Sequence, residues 1–230
     1  MPEPTPPGVT LVALPFVSKQ GFSGATTQSL ILGIIAGGFR MCRFLFLGDH
    51  LVGKARNAAC QDSIDIGAEW LFFIDSDADF PADTLSRLKA CNADIACTDM
   101  WSRNIPSFRT VMRLEAPDET GKRRAIPYSG IGIEDVDLCG MHCTLIRADL
   151  LKRMAPPWFW TADHGEDATF CFNAKEAGAT IRCDFGITAG HWGVARMAGQ
   201  EWSRDARNQP MWLSDMEMMR RMDVKGLPSP

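Results

Sequence analysis

The sequence predicts an α/β fold: a mostly parallel central sheet flanked by helices, followed by a smaller mixed region. Three observations predict it. Short apolar runs rich in β-branched residues recur without polar alternation, as in strands buried on both faces. Segments of helical period lie between them, and glycines or prolines mark the junctions. Strand and helix alternating at this spacing argue for βαβ units with right-handed crossovers.

Taken in order, "VTLVALPF" (9–16) reads as the first buried strand and 24–38 as a helix closed by paired glycines. The second strand falls at 41–49, the second helix at 51–68, and the third strand at 69–75, "EWLFFID". Residues 81–90 open a helix with Pro81 near its first turn, and 93–99 form a fourth strand. Beyond this point the pattern loosens. The stretch 101–130 mixes charges, prolines and short strands around a hairpin or loop near 118–122. Residues 133–154 read as strand, glycine turn, strand and short helix. A helix over 166–177, stopped by Gly178, precedes a strand at 179–184, and a further helix is expected over 209–222. The organisation expected is a flexible segment 1–8, one domain over 9–193 with halves 9–100 and 101–193, and a helical tail 194–230.

Composition narrows the classes. With 230 residues, 46% apolar and 23% charged, the chain can bury a substantial core. A net charge of −4 gives no general attraction to nucleic acid or to an anionic membrane, although a local basic groove remains compatible with it. No stretch is long enough to span a bilayer, and the Pro-rich start "MPEPTPPGVT" lacks the pattern of a secretory signal. The eight cysteines form no C-x-x-C pair and sit in apolar segments, so buried thiols in a cytoplasmic setting are expected. Cys139 and Cys143 around His142 lack the spacing and the second ligand pair of a zinc site.

Candidate chemistry gathers at predicted strand and helix ends. In parallel sheets ligands lie beyond the carboxyl ends of the strands, and Asp49 and the cluster Asp75, Asp77 and Asp79 both fall there. Asp-x-Asp suits a divalent cation that bridges protein carboxylates to phosphate. It is equally the pattern of a solvated turn with Asp79 or Asp83 capping the next helix. Successive odd residues of a strand and its extension converge on one ion only if the chain turns at "SDADFP". Glu166 and Asp167 open a helix, where negative charge is favourable, and where a carboxylate can also act as general base. His191 stands in "GHWG", between small residues that allow close backbone approach.

The ordered set "ARNAACQDSIDIGAEWLFFIDSDADFPADTLSRLKA", "CGMHCTLIRADLLKRMAPPWFW", "GEDATFCFNAKEAGATI" and "GHWG" resembles a GT-A-fold nucleotide-sugar glycosyltransferase of the family 2-like kind, over residues 9–193. The resemblance implies a GT-A (Rossmann-like) fold and a nucleoside-diphosphate sugar donor with Mn2+ or Mg2+. It makes Asp77 a direct metal ligand, Asp75 a contact to metal or ribose, and His191 a third protein ligand. It places Pro15, Val17, Asp49 and Arg56 on the nucleotide, Gly140 and Met141 beside the donor sugar, and Asp167 as base with Glu166 the alternative. Asp79 forms a second, overlapping Asp-x-Asp with Asp77, and the end of the apolar run just before Asp75 favours the earlier register.

The acceptor stays open: a sugar, a protein or a modified nucleobase, as for some phage enzymes of this type, with DNA a possible partner. Oligomeric state and the choice between inversion and retention stay open as well. Arg103, Arg109, Arg113, Lys122, Arg123, Arg124, Arg196, Arg204 and Arg207 either meet an anionic acceptor or form a solvated face. His142 and His164 read as loop or core residues, and Trp158, Trp160, Trp192 and Trp202 as packing. A nucleotidyltransferase would carry a glycine- and base-rich phosphate loop after the first strand, whereas "LPFVSKQGFSG" offers only Lys19, Gly21 and Gly24. A non-catalytic sugar-nucleotide-binding module has no need of both acidic pairs and His191.

Overall fold

The structure is a computed structural model that describes residues 8–16, 21–39, 42–48, 51–102, 107–120, 123–161 and 165–192, with the backbone alone of 43, 196–197, 202–204 and 210–212. Val17, Asp49 and His164 lie outside the described residues.

The first half alternates as expected: β1 (Thr10–Phe16), α1 (Gly24–Ile35), β2 (Cys42–Gly48), α2 (Val52–Asp65), β3 (Trp70–Ile74), a two-residue β4 (Ala78–Asp79), α3 (Thr84–Ala90) and β5 (Ile95–Asp99). The second half carries β6 (Met112–Leu114), β7 (Ala125–Pro127), β8 (Ile133–Asp135), β9 (Cys143–Arg147), α4 (Ala148–Arg153), α5 (Glu166–Glu176) and β10 (Ile181–Thr188). Short strands follow: β11 (Gly190–Trp192), β12 (Arg196–Met197), β13 (Trp202–Arg204) and β14 (Pro210–Trp212).

Seven strands form the central sheet in the order β2-β1-β3-β9-β5-β10-β8. β2, β1, β3, β5 and β10 run one way, while β9 and β8 run against them. The stretch 133–154 forms the expected strand, turn, strand and short helix, but its two strands do not pair with each other. β8 pairs with β10 at the sheet edge, and β9 inserts between β3 and β5. Pairing choice of this kind depends on partners distant in sequence, so local patterning does not reveal it. The expected hairpin near 118–122 does form, as β6 against β7. Pro210–Trp212 is a strand where a helix over 209–222 is expected, and residues 213–222 lie outside the described residues.

The unbroken apolar runs have a direct cause. Successive residues of β3 point to opposite faces, and both faces are covered. Leu71 and Phe73 join one core with α2, α4 and α5, where Phe159 stacks on Phe170 with ring centroids 4.4 Å apart. Trp70, Phe72 and Ile74 join the other core with Phe39, Phe80, Leu85 and Leu88. Ser23 caps α1 by accepting from the Thr26 amide at 3.0 Å. Gly178, with φ +79°, follows the end of α5 in the left-handed conformation a C-terminal cap requires. All eight cysteines are free thiols, and seven of them are buried. Among the described residues no helix is long and apolar enough to cross a membrane.

Candidate active site

β1, β2 and β3 are parallel and in register, so their C-terminal ends share one edge of the sheet. Pro15 lies at that edge, buried near the end of β1. Immediately after β3 the chain turns: the Ala78 amide donates to the Asp75 carbonyl at 3.1 Å. This is the turn that alternate aspartates need if both are to face one region.

Asp77 and Asp79 then diverge in role. β4 pairs with β11, setting Gly190 opposite Asp79 and His191 opposite Ala78. The Trp192 amide donates to the Asp77 carbonyl at 2.7 Å, and the Trp192 indole N–H donates to the Asp79 carboxylate at 2.9 Å. Asp79 thus holds the strand that carries His191. The His191 Nε2 atom stands 3.3 Å from Asp77 Oδ1, with the ring nine-tenths buried.

Arg56, on α2, is the hub of the other half of the site. Its side chain is 3% exposed, and its Nη1 meets Glu166 at 3.1 Å and Asp167 in a shorter contact, while Nη2 lies 3.4 Å from Asp75. The residue expected to face the nucleotide thus has its terminal nitrogens on three carboxylates. Its Nε is buried with no hydrogen-bond partner among the described residues. Burial works against the guanidinium charge, but Asp167, Asp75 and Glu166 hold it above the usual arginine value. Glu166 and Asp167 occupy the first turn of α5, after Gly165 at φ +78°. Burial pushes the Asp167 carboxyl up to about 6, opposed by Arg56 and the Met141 amide and reinforced by Asp75 and Glu166.

The segment 139–143 closes the cluster. The Met141 amide donates to Asp167 Oδ2 at 3.1 Å, and the Asp75 amide donates to the His142 carbonyl at 2.9 Å. A Cβ built on Gly140 would lie 2.3 Å from the His142 ring, so only glycine fits beside that imidazole. His142, read from the sequence as a loop or core residue, is buried beside this cluster. Its ring is buried, its Nδ1 lies 4.0 Å from Asp75 Oδ2, and its centroid is 5.3 Å from that of His191. Burial lowers its pKa to about 4, against the charge of Asp75.

Arg109 is neither a solvated cation nor an exposed acceptor contact. It is buried, ion-paired with Asp99 and set over the Trp101 ring at 4.9 Å. Arg113 and Arg124 pair with Glu134 and Glu115, and Arg123 donates to the Glu115 carbonyl. Trp158 is buried in the core, whereas Trp160 and Trp192 are partly exposed. A depression lined by Glu115, Ala116, Asp118, Arg123 and Arg124 lies at the β6–β7 hairpin and shares no residue with the carboxylate cluster.

The donor set suits a hard or borderline divalent cation, which takes carboxylate and imidazole ligands and leaves positions for phosphate and water. Asp77 and His191 are spaced as two neighbouring ligands of one ion. Among the described residues, no three His, Cys, Asp or Glu side chains already close around a single point.

No protein-family model and no curated protein matches the chain. Solved structures do. The crystal structure of A197 from STIV superposes with a TM-score of 0.61 at 16% identity, covering 90% of this chain and 94% of that one. GalNAc-T7, crystallised with UDP, GalNAc and Mn2+, gives a TM-score of 0.55 at 11% identity over 80% of this chain. The match spans 43% of the GalNAc-T7 chain. The strand order, the carboxylates at the sheet's C-terminal edge and these superpositions together assign the chain the GT-A fold of glycosyltransferases.

Proposed function

We propose that this chain is a divalent-metal-dependent glycosyltransferase that moves a sugar from a nucleoside-diphosphate donor to an acceptor hydroxyl. The observation that carries the reading is the meeting of Asp77 with His191 beside the Arg56–Asp75–Glu166–Asp167 cluster, at the strand edge where this fold class binds ligands. GalNAc-T7, with UDP, GalNAc and Mn2+ in its crystal structure, supports the donor class and the metal at the level of fold.

In this reading Asp77 and His191 hold Mn2+ or Mg2+, with Asp75 facing the metal or the ribose. An ion held there would supply positive charge to the departing diphosphate. Asp167 takes the proton of the acceptor hydroxyl, with Glu166 as its neighbour. A carboxyl held near neutrality has a pKa suited to that task. Arg56 acts as a positioning residue, fixing the orientation of all three carboxylates from below. Gly140 and Met141 present backbone to the donor sugar, and Pro15 lines the nucleoside side. The acceptor is a sugar, a protein or a modified nucleobase.

The test is a panel of nucleotide sugars with Mn2+, scored for release of nucleoside diphosphate by the wild type and by Asp77→Ala. Release by the wild type that falls to background in the variant is expected. Donor binding without metal-dependent release across the panel would reduce the chain to a binding module.

A further inference from the structure

α1 is built inside out. Its buried residues are Thr26, Ser29 and Gly33, while Ile31, Leu32, Ile34 and Ile35 are exposed, Ile35 by 76%. The inward side has polar work to do. Thr26 Oγ1 donates to the Ser76 carbonyl at 2.9 Å, and the Phe80 amide donates to Ser29 Oγ at 3.0 Å. Both bonds tie the helix to the turn after β3. At about 100° per residue, the four large side chains fall on the side of the helix opposite those three. Between Lys19 and Arg40 the sequence holds no charged residue, so no solvated stripe runs along α1. A helix of that kind belongs between two apolar layers.

The material for a second layer lies beside it. β2 ends the strand order of the central sheet. Gly33 seats α1 directly on Phe39, where a Cβ would lie 2.2 Å from the ring. Phe44 and Phe46 stand two residues apart on β2, hence on one face of it, and are left 37% and 59% exposed. Phe46 meets Phe22, just before α1, with ring centroids 5.8 Å apart. Phe44 meets Phe39, just after α1, at the same distance. The two rings therefore flank the helix along its length. An apolar ridge from Ile31 to Ile35 runs beside an apolar trough over Phe44 and Phe46.

We infer that this surface joins two copies of the chain, the α1 ridge of each seated in the Phe44–Phe46 trough of the other. A single two-fold axis satisfies both contacts at once, as in an isologous interface. The two α1 helices then lie side by side in one layer between two sheets, and each is covered on both sides. On side chains of ordinary size, the six exposed residues present roughly 600 Å2 per copy. Two copies together hide about 1,200 Å2, which reaches the range of stable interfaces. A lipid surface is a poorer occupant. Helices that lie in a bilayer carry lysine and arginine along a polar side, which α1 lacks, and a flat bilayer leaves the trough unfilled.

The experiment is sedimentation velocity of the full chain over a concentration series. It compares the wild type with Ile35→Glu on the ridge, Phe46→Glu in the trough, and Ile131→Glu. Ile131 is 91% exposed and precedes β8, at the opposite edge of the sheet. The wild type should sediment as a dimer at micromolar concentration. Ile35→Glu and Phe46→Glu should each weaken dimerisation by more than about thirtyfold, the scale of losing an interface anchor, and Ile131→Glu should not. Hydroxyl-radical labelling of Phe44 and Phe46 in the wild type should fall as the dimer forms, a readout that needs no variant to fold. A wild type that stays monomeric overturns the inference, whether residues 213–230 of the same chain cover the face or vesicles of phosphatidylcholine and phosphatidylglycerol recruit it through Ile35. A dimer that survives both substitutions, that Ile131→Glu also dissolves, or that leaves the labelling unchanged overturns it as well.

Discussion

His191 Nε2 lies 3.3 Å from Asp77 Oδ1, although the two residues come from different halves of the chain. The contact follows from the β4–β11 pairing, which Trp192 locks with a backbone bond to Asp77 and an indole bond to the Asp79 carboxylate. A two-residue strand thus brings a late histidine to the end of β3.

Asp77 and Asp79 should therefore differ in kind. On the proposed reading, Asp77→Ala removes a direct ligand and should lower metal-dependent release of nucleoside diphosphate by more than about a hundredfold. Asp79→Asn keeps an acceptor for the Trp192 indole and should cost less than about tenfold. Initial rates at saturating Mn2+ check both. Equal losses would move the metal to the later pair of aspartates.

For Asp167, transfer should rise with pH through about 6, because the base works only when deprotonated and its carboxyl is held up to that value. Asp167→Asn should lower transfer by roughly two to four orders of magnitude and abolish that limb. The pH dependence of kcat/KM for the two proteins is the measurement. A limb that survives in Asp167→Asn and disappears in Glu166→Gln would assign the base to Glu166.

The elements most legible in the sequence are those whose two faces are both buried. Leu71, Phe72 and Phe73 leave no polar alternation to misread, so β3 and the carboxylates after it could be placed from pattern alone. β9 was legible as a strand, but its place as a central antiparallel strand is set by its partners on β3 and β5, far away in sequence. Site residues followed the same division. Asp75, Asp77, Glu166, Asp167 and His191 carry their signal in local motifs. The assignment of Arg56 to carboxylates, and the presence of His142, depend on α2, α5 and the 139–143 segment meeting in three dimensions.

His142 should also make the metal-free protein sensitive to acid. Burial holds its folded pKa at about 4, below the ordinary 6.5. Between those values the unfolded chain binds the proton and the folded one does not, so stability is lost as pH falls through this window. The full loss is about 3 kcal/mol. Asp167, with a raised pKa, contributes with the opposite sign over part of the same range. The informative quantity is therefore the difference between wild type and His142→Gln, both in chelator, by urea unfolding at pH 7 and pH 4.5. The variant should lose less stability over that interval, and equal losses would place the acid-sensitive group elsewhere.

Arg56 is the position where function and stability are most tightly joined. Its guanidinium is buried among Asp75, Glu166 and Asp167. Removing it strands three carboxylates around an apolar gap, and breaking a buried ion pair from one side costs about 3–5 kcal/mol. Arg56→Met should unfold at correspondingly lower urea. Adding Asp167→Asn should recover part of the loss, because one of the stranded charges disappears with it. A double-mutant cycle on Arg56→Met and Asp167→Asn measures the coupling directly. Additive losses would mean that the pair contributes nothing beyond its separate members, and that Arg56 holds α2 in place through packing on Phe159, whose ring centroid lies 5.8 Å from its guanidinium carbon.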